Sequence, residues 1–100
     1  MTKVLVSDTI DQSGIEILSQ VSQVDQRIGL PPDKLKAIIG GYDALMIRSG
    51  TQVTSEVIEA GEKLRIIGRA GVGVDNVDVK AATKRGVIVV NSPGGNTIAA

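Results

Sequence analysis

The chain contains no cysteine and no histidine. The first absence excludes disulfides, thiolate nucleophiles and zinc sites of the Cys/His kind, and the second removes any imidazole base. Aromatic residues are almost missing too, with Tyr42 the single one. A flavin needs rings to stack on, and Tyr42 precedes an apolar run instead of following it, so an FMN site is disfavoured. No apolar run approaches the roughly 20 residues of a membrane span, and Met1-Thr2-Lys3 leads straight into Val4-Leu5-Val6. The expected compartment is the cytoplasm. Net charge is also absent: 11 basic and 11 acidic residues cancel, so neither nucleic acid nor an anionic membrane is an expected partner.

What is present is a chain of 100 residues, 42% hydrophobic, enough for one small domain with a single core but not for a cofactor domain plus a substrate domain. Val4-Leu5-Val6 suits a strand buried on both faces, with Ser7-Asp8-Thr9 as its polar end. Asp11 or Ser13 can cap a helix whose inward side is Ile15, Leu18 and Val21. From Val24 to Ile28, Val24, Gln26 and Ile28 alternate with the charged Asp25 and Arg27, which reads as an edge strand. Pro31-Pro32-Asp33 opens a helix with Leu35, Ile38 and Ile39 as its buried stripe, and Gly40-Gly41 ends it. Ala44-Leu45-Met46-Ile47 is a third strand, followed by Arg48-Ser49-Gly50-Thr51. Thr54 can cap a short helix carrying Val57 and Ile58, closed by Gly61. Ile66-Ile67-Gly68 is a fourth strand. A helix from about Asp78 to Arg85 packs through Ala81-Ala82, carries Lys84 and Arg85 in its last turn and stops at Gly86. Val87-Ile88-Val89-Val90 is the fifth strand.

Five apolar runs at a spacing of about 20 residues, with helical patterns between them, indicate repeated βαβ units. The predicted fold is α/β: a flavodoxin-like, doubly wound, parallel five-stranded sheet of order 2-1-3-4-5 with right-handed crossovers. Asn96 or Thr97 suits another N-cap, yet only Ile98-Ala99-Ala100 follow. Nucleating one turn of helix is unfavourable, so the expectation is a truncated chain, with residues 1–95 as one domain and 96–100 as the stub of a helix leading onward.

In such a sheet ligands bind outside the carboxyl ends of the strands, near the switch in strand order. The polar groups expected there are Asp8, Arg48-Ser49-Gly50, Arg69 with Gly71-Val72-Gly73, and Asn91. Guanidiniums and backbone N–H groups both donate to carboxylate or phosphate oxygens, and the glycine loop is expected to lead into a helix N-terminus, so a small anion suits this rim. Each residue also has a purely structural reading. Gly71 and Gly73 can serve only a tight turn, and Arg48 and Arg69 can be solvated or paired with Asp8, Asp43 or Asp75. Asn91 can form a turn, and Asp8 alone at a strand end is most simply structural. Gly71-x-Gly73-x-x-Asn76 is a poor dinucleotide fingerprint, because Asn76 replaces the third glycine and Asn91 stands where an acidic residue would end the next strand. A phosphoacceptor aspartate at the end of the third strand is excluded by Arg48.

Ile47-Arg48-Ser49-Gly50-Thr51, the block from Leu64 to Asp78, Ala81-Ala82-Thr83-Lys84-Arg85-Gly86 and Val90-Asn91-Ser92-Pro93-Gly94-Gly95-Asn96-Thr97 resemble the D-isomer-specific 2-hydroxyacid dehydrogenases. The resemblance covers essentially the whole chain. It implies a substrate-binding domain joined through a helix near Asn96 to an absent NAD-binding domain. It further implies a parent enzyme that oxidises 3-phosphoglycerate to 3-phosphohydroxypyruvate with NAD, in serine biosynthesis. The resemblance implies substrate contacts at Arg48, Arg69 and the loop Gly71, Val72 and Gly73, with Val72 also approaching the nicotinamide, and the strand-end position adds Ser49, Gly50 and Asn91 as expected contacts. The family's catalytic arginine, glutamate and histidine would lie beyond residue 100. The chain by itself is therefore expected to be inactive and to bind no NAD, and to self-associate through apolar surface that the remainder would cover. The alternative is a free-standing anion-binding or interaction module.

Overall fold

The computed structural model of the chain describes residues 2–10, 12–70 and 75–92. The aliphatic runs form five parallel strands: β1 (Lys3–Val6), β2 (Gln23–Gln26), β3 (Ala44–Ile47), β4 (Ile66–Ala70) and β5 (Ile88–Ser92). Between them lie α1 (Gln12–Ser19), α2 (Pro32–Ile38) with a 3-10 turn at Ile39–Gly41, α3 (Ser55–Ala60) and α4 (Val79–Arg85). The strand order is β2-β1-β3-β4-β5, as the spacing of apolar runs predicts.

Strands β1 and β3 are buried along nearly their whole length because they are central, whereas β2 is half exposed as an edge strand. The alternation of side chains across the sheet splits the core in two. On one face Leu5, Leu45, Ile47 and Ile67 pack against Leu35 and Ile39 and against Val57, Ile58 and Ala82 from α3 and α4. On the other, Val4, Val6, Ala44 and Met46 pack against Ile15 of α1. Ile66 belongs to that second face, and its register partner Ile88 is 60% exposed there, as is Val90 at 36%. No helix among the described residues is long and apolar enough to cross a membrane.

Local signals end the helices where expected. Thr54 accepts from the Val57 N–H and Asp78 from the Ala81 N–H, two side-chain N-caps, and Gly86 closes α4 at φ 72°, a left-handed conformation that glycine adopts without strain. Two expectations need correction. Val21 is not part of the inward stripe of α1: the helix stops at Ser19, the chain turns, and Val21 is 75% exposed. The second strand ends at Gln26 and not at Ile28, because Gly29 at φ 81° turns the chain away and leaves Ile28 exposed.

Candidate functional site

Parallel pairing aligns the carboxyl ends of the strands. Ile47 is the register partner of Arg69, and Arg69 that of Asn91, so β3, β4 and β5 finish side by side. Register partners in a parallel sheet point to one face, and Ile47 is a core residue of the α3 and α4 side. Arg69 and Asn91 therefore line the upper margin of that side, Arg69 buried at 8% exposure and Asn91 exposed. The Arg69 guanidinium lies 3.8 Å from the Asp75 carboxylate, through Nη2 and Oδ1. Asp75 is itself 91% exposed, so this contact is a solvent-screened one.

Beyond β3 the chain turns through Arg48, Ser49 and Gly50, all exposed, to Thr51, which is buried. Asp8 holds this turn. Its Oδ2 accepts from the N–H of Arg48 at 2.8 Å and from that of Thr51 at 2.9 Å, and the hydroxyls of Ser7 and Thr51 meet at 2.8 Å. The reading of Asp8 as structural thus holds, and the acceptor capacity of its carboxylate is directed at backbone and not at the arginines. Arg48 itself donates from Nη1 to the carbonyl of Thr9 at 3.4 Å and keeps its guanidinium in solvent. From the other side Asn76 donates through Nδ2 to the carbonyls of Arg48 and Thr51, each at 2.7 Å.

Asn76 is the residue that the sequence pattern under-reads, since there it registers only as a misfit for a third glycine. Its partners lie 28 and 25 residues away in sequence, beyond the reach of any local motif. The same loop adds a parallel bridge between Val53 and Val77, closed by Val53 N–H to Asn76 carbonyl and Asp78 N–H to Val53 carbonyl, both at 2.9 Å. Residues 71–78 separate β4 from α4, and the carboxylate of Asp78 caps the first turn of α4 by accepting from the Ala81 N–H. Gly71, Val72 and Gly73 lie outside the described residues. The structure therefore brings together Arg48, Ser49, Gly50, Arg69 and Asn91 on one rim. No group of acidic residues suited to a metal ion occurs among the described residues.

Comparison with known proteins agrees with this architecture. Residues 4–100 match the family description "D-isomer specific 2-hydroxyacid dehydrogenase, catalytic domain". The chain is 63% identical over 100 residues to D-3-phosphoglycerate dehydrogenase from Synechocystis sp., covering 100% of this chain and 18% of that relative. Among solved structures, the PH0520 protein from Pyrococcus horikoshii superposes with a TM-score of 0.90 at 32% identity, over 94% of this chain and 28% of that one. The NAD+-bound 3-phosphoglycerate dehydrogenase of Entamoeba histolytica superposes with a TM-score of 0.83 at 30% identity, over 93% and 33%. The chain thus spans under a fifth of the curated relative and about a third or less of the solved ones. By sequence and by fold, the chain belongs to the D-isomer-specific 2-hydroxyacid dehydrogenases.

Proposed function

We propose that this chain is the substrate-binding domain of an NAD-dependent D-3-phosphoglycerate dehydrogenase, with residues 1–95 as the domain and 96–100 opening the connection to the rest of the enzyme. The observation that carries the reading is the identity of 63% across the whole chain to a relative of that name. The rim supports it physically: two guanidiniums, one exposed and one buried, stand at the ends of neighbouring strands, and 3-phosphoglycerate offers a carboxylate at one end and a phosphate at the other. In this reading Arg48 and Arg69 receive the two anionic groups, and Ser49, Gly50 and Asn91 form the walls between them. Gly71, Val72 and Gly73 supply backbone donors, with Val72 toward the nicotinamide.

The described residues do not themselves fit a dinucleotide. Asn91 stands near the end of β5, where a carboxylate for the ribose would be needed, and the single aromatic ring, Tyr42, lies before β3, away from the rim. NAD and the proton-accepting base of the hydride transfer are therefore assigned to the remainder of the parent enzyme, in the cytoplasm, and the chain alone is inactive.

The test is the mass of the natural gene product together with its NADH formation from 3-phospho-D-glycerate. A longer polypeptide that reduces NAD is the expected result. A mature chain ending at Ala100 without dehydrogenase activity would overturn the reading in favour of a free-standing anion-binding module.

A further inference from the structure

Arg48 stands one residue past the end of β3, where the sheet no longer supplies partners for its backbone. Two side chains take over from the neighbouring strands. Asp8, just after β1, accepts from its N–H, and Asn76, in the loop after β4, donates to its carbonyl. Thr51, at the other end of the turn, is gripped by the same two side chains in the same way.

The Asn76 amide can make both donations at once because Nδ2 carries two hydrogens, and the reversed orientation would set Oδ1 against two carbonyl oxygens at 2.7 Å. The amide is thus locked in one orientation. The residue around it is fixed as well: it is 8% exposed, and its own carbonyl accepts from Val53 N–H. Its Oδ1 is buried and has no hydrogen-bond partner among the described residues, so what the amide contributes here is donation.

We propose that Asn76 is a positioning residue of the anion site, fixing the distance between the turn that carries Arg48 and the strand that carries Arg69. The inference rests on the reading of the rim as an anion site. Arg69 lies on β4, whose following loop carries Asn76, and Asn76 in turn holds both carbonyls of the turn that carries Arg48. Fixing that distance matters for a ligand with two anionic groups, which must meet both cations together, and not for a single anion, which needs only one.

The experiment is an NMR titration of the chain and its Asn76→Ala variant with 3-phospho-D-glycerate and, separately, with inorganic phosphate. The folded variant is expected to bind 3-phosphoglycerate about tenfold more weakly while phosphate affinity changes by less than about twofold, and the Arg48 and Thr51 amides are expected to exchange faster. Equal losses for both ligands, or no loss for either, would overturn the proposal. Asn76→Ser serves if the alanine variant does not fold, and failure of both makes Asn76 a determinant of folding instead, which also overturns it. If the wild-type chain binds neither ligand, the functional reading fails; the exchange rates of Arg48 and Thr51 then decide the positioning role by themselves, unchanged rates refuting it.

Discussion

Gly50 lies so close to Asp8 that a Cβ on the glycine would sit 2.7 Å from the carboxylate Oδ1. Real atoms do not approach so closely, and the carboxylate cannot simply swing aside, because its Oδ2 holds the N–H groups of Arg48 and Thr51. Gly50→Ala is therefore expected to destabilise the fold by about 1–3 kcal/mol, read from urea midpoints. Asp8→Ala, which leaves the two amides without an acceptor, should cost a similar amount, and Asp8→Asn less, since an amide oxygen can still accept from both. A wild-type midpoint in Gly50→Ala would show that the turn is not packed against Asp8 in solution.

Asp75 competes with any bound anion for Arg69, at 3.8 Å from its guanidinium. Asp75→Asn removes that competitor and is expected to raise 3-phosphoglycerate affinity by about two- to fivefold, the range of an exposed ion pair. Calorimetric or NMR titration checks this, and weaker binding in the variant would count against Arg69 as a ligand group.

Tyr42 donates its hydroxyl to Asp25 Oδ2 at 2.7 Å, and its pKa is raised above the usual phenol value of 10.0, first by burial and then by this hydrogen bond. The fold thus favours the protonated phenol. Its contribution to stability is complete below the unfolded-state value and is lost as pH rises through the folded-state one. The stability difference between wild type and Tyr42→Phe should be constant below about pH 9 and shrink above about pH 10. Taking the difference removes the lysines that titrate in the same window. A difference that grows with alkalinity would contradict the assignment.

Ile88 and Val90 present apolar surface on the face of β5 opposite α3 and α4. Concentration-dependent self-association of the chain is expected in sedimentation velocity, and Ile88→Lys should shift it toward monomer at little cost in stability. A strictly monomeric wild type at high concentration would contradict this.

The fold was legible because its determinants are local. Val4-Leu5-Val6 and Ala44 to Ile47 are short apolar runs whose length and composition mark buried strands, Thr54 and Asp78 cap helices three residues ahead of their partners, and Gly86 adopts the left-handed stop that its place after Lys84-Arg85 suggests. The order of the strands followed from the half-polar second strand, which suits an edge, with right-handed connections leaving few other topologies. Of the rim, Arg48, Arg69 and Asn91 could be placed at strand ends by counting, but burial of Arg69 and exposure of Arg48 are tertiary outcomes. The grip of Asp8 and Asn76 on one turn depends on hydrogen bonds spanning 25 to 43 residues, which no periodicity records. Val21 misled for the opposite reason: it continues a helical spacing that the chain abandons after Ser19.

The central claim is that the carboxyl ends of β3, β4 and β5 form one docking rim for a small ligand with two anionic groups. Its most direct test is a nitrogen-15 spectrum of the wild-type chain titrated with 3-phospho-D-glycerate. The account predicts that the shifts gather at Arg48 to Thr51, at Arg69, at Gly71 to Gly73 and at Asn91. Shifts absent from those residues at millimolar ligand, or concentrated at the amino ends of the strands, would contradict it.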